Sequence, residues 1–323
     1  MAQISGTTDT YRVGTGGGLR EDLEDKIWDL FADENFVSSN LDRVGANAAA
    51  HEWEQDTLIA ATNVPQLEGN DASFSTITAP IRRQNFCQIW KKQFLVSGTL
   101  EAVAKAGRAK EAARQIVKQM RELRNDMEYT IVRNYASTAG GAASARALAS
   151  MESWIATNET KATTSAGSST AGYSGGTVAA PTDGSTTGAA TEGALKTALG
   201  LAWAQGGRVR WILCNTSQKA AIDAFPGQAT RFVDVTKGQQ ASIVGSANVY
   251  VSSYGVHQVV LHRHQRGLTI SCIDPDYWAL AFLRQPFMEQ LAKTGDGTKY
   301  HLVAEGTLVS RNEAASSKVT ACA

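Results

Sequence analysis

The stretch that most constrains the fold is SGTLEAVAKAGRAKEAARQIVKQMRELRNDMEYTIVRNYAS, residues 97–137. In it Ala113, Ile116, Met120, Leu123, Met127, Ile131 and Tyr135 recur at steps of three or four. That spacing lays one apolar stripe along an α-helix. Thr99, Glu101 and Glu111 place polar and acidic groups near its start, where the helix dipole favours negative charge. Read as one helix of roughly 37 residues, it would be about 55 Å long at a rise of ~1.5 Å per residue. That is comparable with the diameter of a compact chain of this size, so a spine is predicted, with the other elements laid along it. The opposite face carries Lys105, Arg108, Lys110, Arg114, Lys118, Arg121 and Arg124. A solvated face with i,i+4 partners is the plain reading, and Arg114, Lys118 and Arg121 are candidates for facing nucleic acid.

Ahead of the spine lie two extended segments of opposite charge. HEWEQDTL opens the first, and its two-residue alternation puts Glu52, Glu54 and Asp56 on one face and His51, Trp53 and Gln55 on the other. A zinc-protease helix would need a second His at position 55, where Gln55 stands. The second segment, IRRQNFCQIWKKQFLV, carries Arg82, Arg83, Lys91 and Lys92 and no acid. The pair, joined by PQLEGNDASFSTITAP, predicts a long antiparallel ribbon with cross-strand ion pairs. Two strands alone are not stable, so the ribbon needs another surface, in its own chain or in a neighbour.

At the start, GTGGG followed by LREDLEDKIWDLF reads as a flexible arm with one helix, its stripe being Leu19, Leu23, Ile27 and Leu30. No Lys-Ser/Thr ending makes it a phosphate loop. After Asn158, 27 of residues 160–191 are Ser, Thr, Gly or Ala, too few large apolar groups for a core. Helix, strand and helix follow in TEGALKTALGLAWAQGG, VRWILC and NTSQKAAIDAF. Strands are predicted at ANVYVSSY, VHQVVLHRH, LTISCI, ALAFL, YHLVAEGTLVSRN and KVTAC. The class is α+β, in two discontinuous domains, with the final strands returning to a sheet beside the spine.

With Lys plus Arg and Asp plus Glu both at 31 in 323 residues, no overall field draws the chain to nucleic acid or an anionic membrane. Cys87, Cys214, Cys272 and Cys322 are far apart and form no CxxC pair, which fits isolated thiols of a reducing compartment. The first residues lack the basic and apolar regions of an export signal, and no apolar run approaches the ~18 residues of a membrane helix. His262 and His264 alternate along a strand, but no ligand-spaced Cys or acid stands near. Asp274 and Asp276 flank Pro275, as a turn requires. No nucleophile motif is present, and neither a cofactor, a metal nor a catalytic residue is expected.

Longer phrases carry a family resemblance. LREDLEDKIWDL, HEWEQDTL, VSGTLEAVAKAGR, ARALASMESWIATN, TEGALKTALGLAWAQGG, DPDYWALAFLR and LAKTGDGTKYHLVAEGTLVSRNEAASSK occur in this order over nearly the whole chain. They resemble the major capsid protein of tailed bacteriophages. FADENF stands where a Pro- and Thr-bearing stretch would be expected.

The resemblance implies an arm (1–48), an extended loop (49–97), a peripheral domain with the spine and the Ser/Gly-rich insertion (98–192), an axial domain (193–283) and a return to the peripheral domain (284–323). It implies self-assembly into pentamers and hexamers, with the loop lying over a neighbouring subunit. Glu52, Glu54, Asp56, Arg82, Arg83, Lys91 and Lys92 would then serve subunit contacts. Weak, non-specific contact with packaged double-stranded DNA would fall to Arg114, Lys118 and Arg121. The arm is too short to include a fused scaffold, so a separate scaffolding protein or none is expected, with portal and decoration proteins as further candidate partners. A chain made in the host cytoplasm and keeping Met1, or losing only a few residues, is expected. Two other readings stay open: an encapsulin-type compartment shell, and an α/β hydrolase or metal enzyme using His262, His264 and Asp274.

Overall fold

The computed structural model describes residues 34–163, 170–225 and 248–323, apart from 59, 72, 73 and 75, together with 22, 24 and 26–30. It is α+β, built on two larger sheets and two hairpins. The first sheet has the order β1-β12-β13-β4, with β1 Asp42–Gly45, β4 Gln88–Ser97, β12 Trp278–Leu291 and β13 Gly297–Ser310. Strands β12, β13 and β4 are antiparallel neighbours, and β1 joins β12 in parallel.

The spine lies across this sheet as a helix of 22 residues, Glu111–Val132. It is shorter than the periodicity predicts. A short helix, Gly98–Ala102, precedes it, and the chain then turns through Gly107 at φ +71°, a left-handed conformation that interrupts a helix. At the other end Arg133 is extended. Leu123, Met127 and Ile131 are buried against Trp90, Leu280, Leu302, Ala304 and Leu308. The ends of the predicted stripe, Ala113 and Tyr135, are exposed.

The second sheet has the order β5-β14-β11-β8-β10-β9, comprising β5 Glu159–Lys161, β8 Trp211–Cys214, β9 Val249–Ser252, β10 Gly255–Leu261, β11 Ile270–Ile273 and β14 Ser317–Thr320. The helix, strand and helix read from the sequence are here Glu192–Ala204, β8 and Thr216–Asp223. Thr191 caps the first helix by accepting from Ala194 N–H, and Asn215 and Gln218 form a capping box on the second. Leu195, Ala198, Leu199 and Ala202 recur at helical spacing and pack on Ile212, Cys214, Cys272 and Val319. Leu213 and Ile273, of opposite parity, point the other way into the cluster that holds the spine. Strand alternation thus joins the two layers through one sheet.

The predicted return of the last segment is divided. β13 lies beside the spine, whereas β14 enters the six-stranded sheet between β5 and β11. In the arm, residues 26–30 carry no helix, although Ile27 and Leu30 belong to the predicted stripe. Leu19 and Leu23 lie outside the described residues. A helix does form at Phe36–Asn40. Within the Ser/Gly-rich segment, β6 Gly172–Ser174 and β7 Thr177–Ala179 make a hairpin, and residues 164–169 lie outside the described residues.

Candidate subunit-contact surfaces

The ribbon is shorter than its two charged segments. β2 Ala50–Gln55 pairs antiparallel with β3 Ile81–Phe86. The alternation is as read: Glu52 and Glu54 are exposed, while His51, Trp53 and Gln55 are half-buried. Glu54 stands opposite Arg82, yet Arg82 pairs diagonally with Glu52 at 3.3 Å. Arg83, opposite Trp53, donates from Nε to Gln55 Oε1 at 3.2 Å and lies over the Tyr173 ring. Trp53 meets Trp154 at a tilt, with centroids 5.4 Å apart, and Trp154 stacks on Tyr173 at 5.7 Å. The root of the ribbon is therefore clamped by aromatic rings.

Lys91 and Lys92 are not on the ribbon. At Cys87 the chain leaves β3 and enters β4, where Lys91 and Lys92 oppose Val303 and Leu302 of the four-stranded sheet. Lys92 pairs with Asp126 of the spine at 2.6 Å. Asp56 lies past the end of β2, its Oδ1 accepting the Thr57 N–H. Among the described residues, Glu54 and Lys91 have no ion-pair partner.

Beyond the root, residues 56–80 carry no helix or strand among those described. Leu58, Phe74 and Ile77 are 99%, 96% and 91% exposed, and Val64 and Leu67 are largely so. This apolar surface has no partner within the described chain. Charge reading overlooked it because the apolar residues are scattered among Thr, Asn and Ala, without a period. Their simple count in a segment bearing Asp56, Glu68 and Asp71 and no base was the available signal. A second apolar set lies at the far edge of the six-stranded sheet, where Val249, Val251 and Val256 are exposed beside Trp203 and Tyr254. Large apolar side chains left this exposed make both segments candidate interaction surfaces.

On the spine, Arg114 pairs with Asp29 at 3.2 Å, and Lys118 reaches Glu122 only at 3.9 Å. Arg121 has no acid partner among the described residues. Arg114, Lys118 and Arg121 border a groove of about 440 Å³ with Trp28, Leu30 and Val117.

The arm is held to the spine by one buried carboxylate. Glu128 accepts from the backbone N–H groups of Val37 and Ser38, each at 2.7 Å, and from His262 Nε2 at 2.8 Å. His264 N–H donates to His262 Nδ1, which leaves the proton on Nε2. His264 Nε2 meets Asn125 Oδ1 at 2.7 Å. Both imidazoles thus join strands and arm to the spine. Asp274 accepts from the N–H groups of Arg208 and Asp276, closing the turn at Pro275–Tyr277. Burial pushes the Cys87 thiol up to about 11 and those of Cys214, Cys272 and Cys322 up to about 12, so all four stay protonated at neutral pH.

A spine crossing a sheet, a two-stranded ribbon and exposed apolar surfaces at residues 56–80 and at the edge of the six-stranded sheet fit a subunit of a shell. The same architecture occurs in a chain of the Cyanophage A-1(L) capsid asymmetric unit, 13% identical, at a TM-score of 0.67 over 97% of this chain and 99% of that one. A chain of Mycobacterium phage Adephagia is 10% identical at a TM-score of 0.62, covering 97% and 98%. One of Gordonia phage Cozz is 11% identical at 0.59, covering 99% and 97%. At such identities the likeness is one of fold. No curated protein sequence matches. The family model described as SU10 major capsid protein matches residues 3–323, and the chain belongs to that family. Its role is that of a major capsid protein, a structural component of the virion capsid.

Proposed function

We propose that the chain assembles into pentamers and hexamers that close an icosahedral head around double-stranded DNA, and that residues 56–80 lie over a neighbouring copy. The observation that carries this is the loop itself. Leu58, Phe74 and Ile77 are almost wholly exposed on a segment that carries no helix or strand among its described residues, and burying each side chain contributes roughly 1.5–3 kcal/mol. In this reading residues 1–48 form the arm, 49–97 the extended loop with β4 at its base in the four-stranded sheet, 98–192 and 284–323 the peripheral domain, and 193–283 the axial domain, whose sheet also takes in β5 and β14 and whose apolar strand edge faces the rotation axis.

Glu52, Glu54, Asp56, Arg82, Arg83, Lys91 and Lys92 lie at or near the subunit boundary in this arrangement, with Glu54 and Lys91 left to pair across it. Arg114, Lys118 and Arg121 face the DNA, and zero net charge lets many copies approach without large repulsion. The chain acts structurally, is made in the host cytoplasm, and works with portal, scaffolding and decoration proteins.

Hydrogen exchange of assembled and unassembled protein tests the loop contact. Residues 56–80 gain protection on assembly in this account. Equal exchange in the two states would overturn it.

A further inference from the structure

The arm helix, the spine and β12 meet around a cleft of about 330 Å³, lined by Arg43 and Arg124 together with Ser38, Ser39, Met127 and Pro286. Its walls follow from the sequence. Pro286 cannot donate to a ladder, and the register of β12 on β13 shifts between Phe282 and Phe287, so the strand bends away and opens the space. Glu128 grips the N–H groups of Val37 and Ser38, which holds the two serines on the spine near Arg124. Met127, one turn on, forms the floor.

Among the described residues, the neighbouring acids Asp42, Asp126 and Glu128 are already engaged. Asp42 binds Arg311 at 2.5 Å, Asp126 binds Lys92, and Glu128 is buried under the arm. Arg43 and Arg124 are exposed and have no acid partner among the described residues. In a chain of zero net charge, two guanidiniums with no acid partner among the described residues and two hydroxyls line one polar cleft. The guanidinium fork matches phosphate oxygens in pairs, and serine hydroxyls can serve the remaining oxygen. Arg121, three residues before Arg124, lies about one helical turn, ~5 Å, back along the spine and continues the track toward Lys118 and Arg114.

We propose that this cleft is a phosphate-binding site, formed by Arg43, Arg124, Ser38 and Ser39, that holds the phosphodiester backbone of the enclosed nucleic acid. The proposal rests on the reading that the shell encloses DNA. Contact here is with phosphate alone, so it carries no sequence preference and weakens steeply with salt.

The test uses the full chain and a short labelled duplex of arbitrary sequence, followed by fluorescence anisotropy over a salt series. An Arg43→Gln, Arg124→Gln variant is compared with an Arg208→Gln, Lys293→Gln control of the same net charge. The double variant is expected to bind about 10-fold more weakly at low salt, and its log affinity to fall with log salt by a slope smaller by about 2. The control keeps wild-type values. Inorganic phosphate, at ionic strength matched with chloride, raises the melting temperature of the wild type and not of the double variant. Arg124→Lys, which keeps charge and loses the fork, retains the slope and loses part of the affinity. Melting curves establish that each variant is folded.

Identical binding by the double variant and the control would overturn the proposal. So would wild-type duplex binding by a double variant that no longer forms particles, which would make the cleft a subunit contact. Neither result touches the shell reading, because particle formation is scored separately by electron microscopy.

Discussion

Replacing Glu128 by Gln probes the joint on which arm, spine and six-stranded sheet depend. The carboxylate accepts from Val37 N–H, Ser38 N–H and His262 Nε2–H, and is fully buried. Gln keeps the shape but offers one acceptor oxygen, and its amide group presents hydrogens to a backbone or imidazole donor. A charge-assisted hydrogen bond contributes ~1.5–3 kcal/mol, and a buried N–H left without a partner costs ~1–3 kcal/mol. The combined loss is about 3 kcal/mol. At ~2.1 cal/mol/K of unfolding entropy per residue, the 323 residues convert this into a fall of about 4–5 °C in Tm.

Calorimetry reads that fall, and hydrogen exchange locates it. The Val37 and Ser38 amides are expected to exchange about 100-fold faster in the variant, if local opening reflects the lost bonds. A double-mutant cycle with His262→Gln gives a coupling above ~0.5 kcal/mol, since the two groups share one contact. Unchanged Tm with unchanged exchange at Val37 and Ser38 would refute the idea that Glu128 holds the arm.

Gly207→Ala drives a Cβ into the backbone carbonyl of Ala315. Backbone cannot retreat as a side chain can, so a loss of about 3 kcal/mol is expected in denaturant unfolding. Lys318 is fully buried and its ammonium meets the Glu152 carbonyl at 3.3 Å; burial holds its pKa below the ordinary 10.5. A depressed lysine means that the unfolded chain binds more protons between the folded value and 10.5, so this group makes stability rise with pH across that window. Lys318→Met is expected to remove the rise, as read by urea midpoints from neutral to alkaline pH. Trp53→Ala removes the ribbon's own ring from the aromatic clamp at its root and is expected to cost about 3 kcal/mol, with exchange rising first at residues 50–55 and 81–86.

What the sequence showed directly was local. Alternation in His51–Gln55 predicted the strand and its faces, and TEGALKTALGLAWAQGG reads as the helix that forms over Glu192–Ala204. The longer readings failed where distant partners decide. Ile81 to Val96 reads as one strand, yet buried Asn85 bonds Ala149 N–H, the Ala149 carbonyl and the Leu308 carbonyl, and the chain changes sheets just after it. Those partners stand 64 and 223 residues away. The spine lost its first turns to Gly107, whose left-handed φ is not marked by composition. The last strand went to the six-stranded sheet because Ile270–Cys272 and Glu159–Lys161 leave a gap between them that Ser317–Thr320 fills. For the candidate surfaces, charges were read and exposed apolar groups were not. Arg43 and Arg124 are 81 positions apart, and only the fold brings them to one cleft.

The most direct measurement is electron microscopy of the purified chain beside a Phe74→Ser, Ile77→Ser variant, each produced alone and with the neighbouring genes. The account predicts closed shells of uniform diameter from the wild type and a folded, unassembled chain from the variant, with equal melting temperatures. Wild-type protein that stays monomeric under every condition, or shells formed equally well by the variant, would contradict it.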